Sequence, residues 1–343
     1  MNAHEFAQKQ SLPYEAKKSL ARLRAREFFD HCEGNVFVSV GGLDSASLAL
    51  FLWREVNRDI PAVSVSVLED KTVQEVHRWL STQGPFVFLK PIKSKVQVLR
   101  EYGYPVIAKD KAARIEAIQT PNNPKQTFIH AIFTGDMGAQ GKFQHSERIK
   151  LPDKWLTLFG GLYGHHRPDL VCQVAPFKVS NRCCHWMKEL PCDNYSKETG
   201  RFPYMGLMAS EGGQRKWGLM KNGCNYYGKT VTRSCPFAIF TRQDILGLAV
   251  ELGTPVPTIY GEIKRQSDGT LETTRARRTG CTMCGFGVHM EKRPHRFDRL
   301  RHDNPKEWAF WMYDQGWGKV LDWIGVPWEN EVEKQSVLEM AYV

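Results

Sequence analysis

Val36, Phe37 and Val38 form an unbroken apolar run that closes through Ser39 and Val40 onto Gly41 and Gly42. An apolar stretch of β-branched and aromatic residues with no alternation has both faces covered, which describes a strand inside a parallel sheet. Ser45 then opens a second run through Leu48, Phe51 and Trp53 that reads as a helix with a polar start. The same rhythm returns at once, with a strand over 62–67, a helix over 71–80 and a strand over 85–89. Strands alternating with helices require crossover connections, so the fold class is α/β with a doubly wound, Rossmann-like parallel sheet. Ahead of it, residues 14–32 carry Leu20, Leu23, Phe28 and Phe29 at helical spacing and form an amphipathic leader helix.

Beyond residue 90 the signals thin. Residues 91–180 mix helix and loop around a break at 120–125, and 181–260 return to helix and strand. From about 285 the chain is dense in tryptophan, with Trp308, Trp311, Trp317, Trp323 and Trp328. These read as the core of a helical C-terminal lobe rather than as base-stacking platforms. The expected organisation is an N-terminal helix over 1–33, an α/β domain over 34–260, and a cysteine-bearing basic and helical lobe over 261–343. No apolar run of membrane-spanning length occurs in the 343 residues, and the first ten lack a basic-then-apolar leader, so a cytoplasmic protein without membrane association is expected.

The turn Val40, Gly41, Gly42, Leu43, Asp44, Ser45 lies between strand and helix, where open α/β sheets bind ligands. Two glycines let backbone approach an anion, and the following amides at a helix N-terminus supply donors and positive potential. Ser39 and Ser45 add hydroxyls, while Asp44 orders the loop or helps to hold a magnesium ion on a polyphosphate. The pattern is neither a Gly-x-Gly-x-x-Gly fingerprint nor a Walker A loop. Its alternative is a tight strand–helix turn without a ligand. The formal charge of +10 suits an anionic partner, a nucleotide or a nucleic acid. Much of that charge is local, in Arg275, Arg277, Arg278, Lys292, Arg293, Arg296, Arg299 and Arg301. The bland reading of this stretch is a solvated face.

Nine cysteines in a cytoplasmic chain argue for metal ligands and buried thiols rather than disulfides. Cys281 and Cys284 form a Cys-x-x-Cys turn, and Cys183 and Cys184 are adjacent. A Cys-x-x-Cys turn aims two thiolates at one metal, whereas adjacent thiolates diverge and reach different irons of a cluster better than one zinc. This favours iron–sulfur over zinc, with closely placed buried thiols as the remaining alternative. Cys192, Cys224 and Cys235 read as small buried residues, and His165, His166, His185 and His289 as ordinary histidines rather than ligands.

The glycine turn resembles the Ser-Gly-Gly-x-Asp-Ser PP-loop of the adenine-nucleotide α-hydrolase-like superfamily. Further stretches narrow the likeness to the phosphoadenosine phosphosulfate (PAPS) reductase family. Residues 209–215, with Glu211 and Arg215, are similar to its Glu-Ser-x-x-Arg segment. Residues 235–245 resemble its Pro…Trp-Thr-x-x-Asp-Val stretch, and 280–284 its Gly-Cys-x-x-Cys. The resemblance runs from about 35 to 290. It implies an adenine-nucleotide site for ATP or adenylyl sulfate on Ser39, Gly41, Gly42, Asp44, Ser45, Glu211 and Arg215, served by Mg2+, with Asp44 and Arg215 catalytic. It also implies a 4Fe–4S cluster on Cys183, Cys184, Cys281 and Cys284, as in the cluster-bearing members. Three departures stand out: Val40 where serine is usual, Leu43 where this branch has lysine, and no cysteine after Cys284 to serve as the family's reductive nucleophile. The expected activity is therefore ATP-dependent sulfur transfer, with a nucleic-acid acceptor held by the basic 275–301 region and a sulfur-donor protein as further partner. The alternatives are a sulfonucleotide reductase that releases sulfite, its thiol coming from Cys192, Cys224 or Cys235, and a non-catalytic nucleic-acid binder with a structural metal.

Overall fold

The computed structural model describes residues 3–138 and 145–329. It divides into two compact units, each built from two separated stretches of chain: 1–92 with 187–282, and 93–186 with 283–343. The boundaries read from the sequence, near 33 and 260, follow chain order. The observed ones follow a long excursion that leaves the first unit after Ile92 and rejoins it at Met187.

The first unit contains a six-stranded sheet. Its spatial order is Phe86–Phe88, Ala62–Ser64, Val36–Ser39, Phe202–Met205, Thr232–Ser234, Asn225–Tyr227. Every neighbouring pair is parallel except the last, which is an antiparallel edge hairpin. The strand expected at 35–40 is thus central. Val38 is level with Ala62 on one side and with Tyr204 on the other. From this strand the chain steps outward through Ala62–Ser64 to Phe86–Phe88, then later continues on the opposite side at Phe202–Met205. The strand order therefore reverses at Val36–Ser39. In an open α/β sheet this reversal leaves a crevice at the carboxyl ends of the strands.

Helices Leu43–Glu55 and Lys71–Gln83 follow the first two strands, as the periodicity predicted. The first buries Ala46, Leu48, Ala49, Phe51 and Leu52 almost completely, which is why its sequence is apolar nearly all round. Helix Tyr14–His31 contributes Ala21, Ala25 and Phe28 to the same core, and Tyr204 donates its hydroxyl to the Ala25 carbonyl at 2.6 Å. A buried ion pair, Lys17 Nζ to Asp244 at 2.8 Å, ties this helix to Arg242–Leu252.

The second unit is mainly helical, with a short parallel pair of strands, Val106–Ile107 beside Gly285–Phe286. Trp308, Trp317 and Trp328 are buried in its core with Trp155, Phe159 and Phe297, and Trp311 and Trp323 pack against that core partly buried. No helix among the described residues is long and apolar enough to cross a membrane.

Candidate functional site

The Gly41–Ser45 turn leaves the carboxyl end of the central strand, at the reversal of strand order. Its shape is fixed from within and from behind. The Gly41 amide donates to Ser45 Oγ at 2.8 Å, and the Ser45 hydroxyl donates to the Gly42 carbonyl at 3.0 Å. Behind the turn, His77 Nε2 lies 2.7 Å from the Gly41 carbonyl. A carbonyl only accepts, so Nε2 carries the proton and Nδ1 faces the Ser66 hydroxyl at 2.9 Å as acceptor. His77 is wholly buried. Burial is the largest influence on it and lowers its pKa, against the Gly41 hydrogen bond and Glu69, which raise it. A neutral imidazole thus props up the turn.

Both glycines face side chains. A β-carbon on Gly42 would lie 2.6 Å from the Tyr260 hydroxyl oxygen, and one on Gly41 would lie 3.6 Å from Glu69 Oε1. Tyr260 is buried and its hydroxyl shares a 2.8 Å hydrogen bond with Thr279. A β-carbon on Gly206 would press on the Ser45 backbone at 3.1 Å, so the neighbouring strand also needs glycine where it passes the turn.

Charged groups from distant parts of the first unit gather around these atoms. Asp44 accepts from Arg242 Nη1 at 2.6 Å, and Arg242 Nη2 is buried with no hydrogen-bond partner. Burial raises the Asp44 carboxyl above its ordinary value; Glu211 adds to the rise while Arg242 and Arg278 oppose it. Glu211 pairs with Arg215 and lies 3.4 Å from Arg278 Nη2. Glu69 is buried and paired with Lys188. Burial works against the Lys188 charge, but Glu69 and Cys281 more than offset it and hold the ammonium above the ordinary lysine range. Ser39, at the strand end, hydrogen-bonds the Cys192 thiol.

The structure therefore brings Ser39, Gly41, Gly42, Asp44, Ser45, Glu211 and Arg215 into one unit, with Asp44 sensing Glu211 directly. Asp44 has Arg242 as its partner rather than open space. Arg242, Lys188, Glu69, His77 and Tyr260 escaped the sequence reading. Arg242 alone had a signal, since it sits inside the 235–245 stretch that resembles a family segment.

The cysteine set is divided. Cys183, Cys184 and Cys284 belong to the second unit and Cys281 to the first. Among the described residues no group of three or more His, Cys, Asp or Glu side chains is arranged to hold a metal ion. Cys281 has the Lys188 ammonium beside it. The three spare thiols are poor nucleophiles. Burial raises Cys192 and Cys224, and it pushes Cys235 up to about 12. Of the histidines, His289 lies edge-on against Trp155, and His165 and His166 cluster with His130 in the second unit.

The basic 275–301 stretch is also divided. Arg275, Arg277 and Arg278 fall in the first unit, and the others in the second. Arg277 pairs with Glu272, Arg278 with Glu211, Arg293 with Asp298 and Arg296 with Glu291. At least four of the eight cations in this stretch are thus matched to carboxylates.

No protein-family model matches the chain, and no curated protein matches it. Among solved structures, the chain is similar to a crystal structure of phosphoadenylyl-sulfate (PAPS) reductase from Candida auris in its phosphate complex. The identity is 10%, the TM-score 0.37, and the match covers 76% of this chain and 98% of that one.

Proposed function

We propose that the Gly41–Ser45 turn binds the phosphates of an adenine nucleotide, and that the protein uses ATP in an AMP-forming transfer of sulfur to an acceptor. One observation carries the reading: a glycine turn at the reversal of strand order, ringed by Arg242, Arg278 and Lys188. The amides at the start of helix Leu43–Glu55 and the unpartnered Arg242 Nη2 supply donors for a polyphosphate. Asp44 positions Arg242 through their 2.6 Å hydrogen bond. Cleavage between the α and β phosphates develops charge on the departing pyrophosphate, where fixed cations count most. Mg2+ on the polyphosphate is part of the proposal, as is a nucleic-acid acceptor.

A 4Fe–4S cluster on Cys183, Cys184, Cys281 and Cys284 is proposed on the cysteine pattern alone, and no step of the reaction is routed through it. Anaerobically purified protein that is brown and carries iron with acid-labile sulfide supports it; colourless protein free of iron opposes it. Sulfonucleotide reduction is the weaker reading, because burial keeps Cys192, Cys224 and Cys235 protonated.

The test is release of AMP and pyrophosphate from ATP by the purified protein, with and without nucleic acid. Wild type is expected to form both products and Arg242→Ala to lose at least about tenfold in rate, the effect of removing one charge-stabilising donor. Absence of AMP from wild-type protein under all acceptor conditions rejects the reading.

A further inference from the structure

Between Glu211 and Asp244 the chain has no acidic residue, yet it carries Arg215, Lys216, Lys221, Lys229, Arg233 and Arg242. Arg215 and Arg242 turn toward Glu211 and Asp44. The other four form no ion pair among the described residues. Interleaved with them are aromatic side chains with surface in solvent: Trp217 is 64% exposed and Tyr226 37%, while Tyr227, 46% exposed, packs against Phe28 and His31. Trp217 is the one exposed tryptophan among the described residues.

Local geometry groups these residues in pairs. Helix Gly213–Asn222 turns Leu219 and Met220 inward. Trp217 and Lys221, four residues apart, share a stripe of the helix surface. Next comes the edge hairpin of the sheet, in which Tyr226 is directly opposite Arg233. Cross-strand neighbours lie on the same face, so an aromatic ring and a guanidinium stand side by side there. Lys229 extends from the hairpin turn. Trp217 thus shares its helix face with Lys221 and Tyr226 its strand face with Arg233, and the helix begins at Gly213, two residues after Glu211 of the nucleotide site.

We infer that helix Gly213–Asn222 and the hairpin Asn225–Ser234 form a binding surface for single-stranded nucleic acid. Cations track the phosphates, and Trp217 and Tyr226 stack on unpaired bases. Charge complementarity chooses a polyanion, and the exposed rings choose one whose bases are free, because paired bases present no face for stacking. The inference deepens the proposed function and rests on it for its role, since it identifies the acceptor class and places it beside the nucleotide site. It relocates the acceptor surface from 275–301, where at least four of the seven arginines are paired with carboxylates, to 213–234.

The test is fluorescence anisotropy of fluorescein-labelled oligothymidylate with the full chain, over a range of salt. The variants are Trp217→Ala, Tyr226→Ala and the double Lys216→Glu/Lys221→Glu, each checked for an unchanged melting midpoint. Trp217→Ala should weaken binding about tenfold, the loss of one stacked base. The double charge reversal should weaken it further and reduce the salt slope by about 0.7 for each phosphate that is no longer neutralised. The inference is overturned if these variants bind as wild type does, if the matching duplex or polyglutamate binds as tightly as oligothymidylate, or if Arg277→Glu/Lys292→Glu abolishes binding while the 216/221 pair does not. ATP binding is measured separately in every protein. Lost ATP binding with retained oligonucleotide binding rejects the nucleotide site alone, and the reverse rejects the surface alone.

Discussion

Gly42 has a φ of −83°, a value open to any residue, so its need for glycine is steric and comes from one atom, the Tyr260 hydroxyl oxygen. Gly42→Ala should therefore cost about 1–3 kcal/mol, as overpacking does, together with affinity for ATP. Removing the offending oxygen with Tyr260→Phe should restore much of both in the double variant, because the ring carbon that bore it stays 3.9 Å from the new methyl. A double-mutant cycle on urea midpoints checks this; strictly additive losses would show that the clash is not the reason. The sequence made Gly41, Gly42, Asp44 and Ser45 stand out because strand, glycine pair and helix are contiguous. It concealed their partners, since Arg242 lies 198 positions from Asp44 and Lys188 lies 119 from Glu69. Pairings of that separation leave no local trace.

Helix Lys71–Gln83 holds the turn through His77, which links it to the loop after a neighbouring strand. Because burial lowers the folded pKa of His77 below its ordinary 6.5, the unfolded chain takes up a proton that the folded chain refuses. Stability from this group is complete above about pH 6.5 and is lost as pH falls below it. His166 and His289 are lowered by burial and act in the same direction. Urea midpoints measured from pH 8 downward should thus fall on acidification. His77→Gln should flatten part of that decline, and an unchanged slope would contradict the assignment. The helices and strands between 14 and 89 were legible because each hides its apolar residues at a regular period, whereas the short helix Ala3–Gln10 ahead of them was not. Helix 14–32 appears as Tyr14–His31, strand 35–40 as Val36–Ser39, and helix 45–53 as Leu43–Glu55. The strand expected at 62–67 stops at Ser64 and continues as a helical turn, Ser66–Leu68, which carries the serine that His77 needs. Helices Lys95–Tyr102, Lys109–Ile118 and Gln126–Thr134 escaped notice as separate elements because each is short.

At the scale of the molecule, an α/β fold with a largely parallel sheet follows from the alternation near the N-terminus, and the tryptophans do form a core. The division of the chain could not be read in order, because each unit is assembled from two separated stretches and the strand pair Val106–Ile107 with Gly285–Phe286 joins residues nearly 180 positions apart. The cysteine spacing pointed to a cluster, and its four proposed ligands are drawn from both of these units. The nucleotide site depends on neither the cluster nor the acceptor surface, and it is the claim on which the functional account stands. Hydrogen exchange of the full chain, followed by mass spectrometry with and without ATP and Mg2+, tests it most directly. The account predicts slowed exchange in peptides covering 40–47 and 240–244, at the glycine turn and Arg242. Unchanged exchange in those peptides at saturating ATP, or protection confined to other segments, would contradict it.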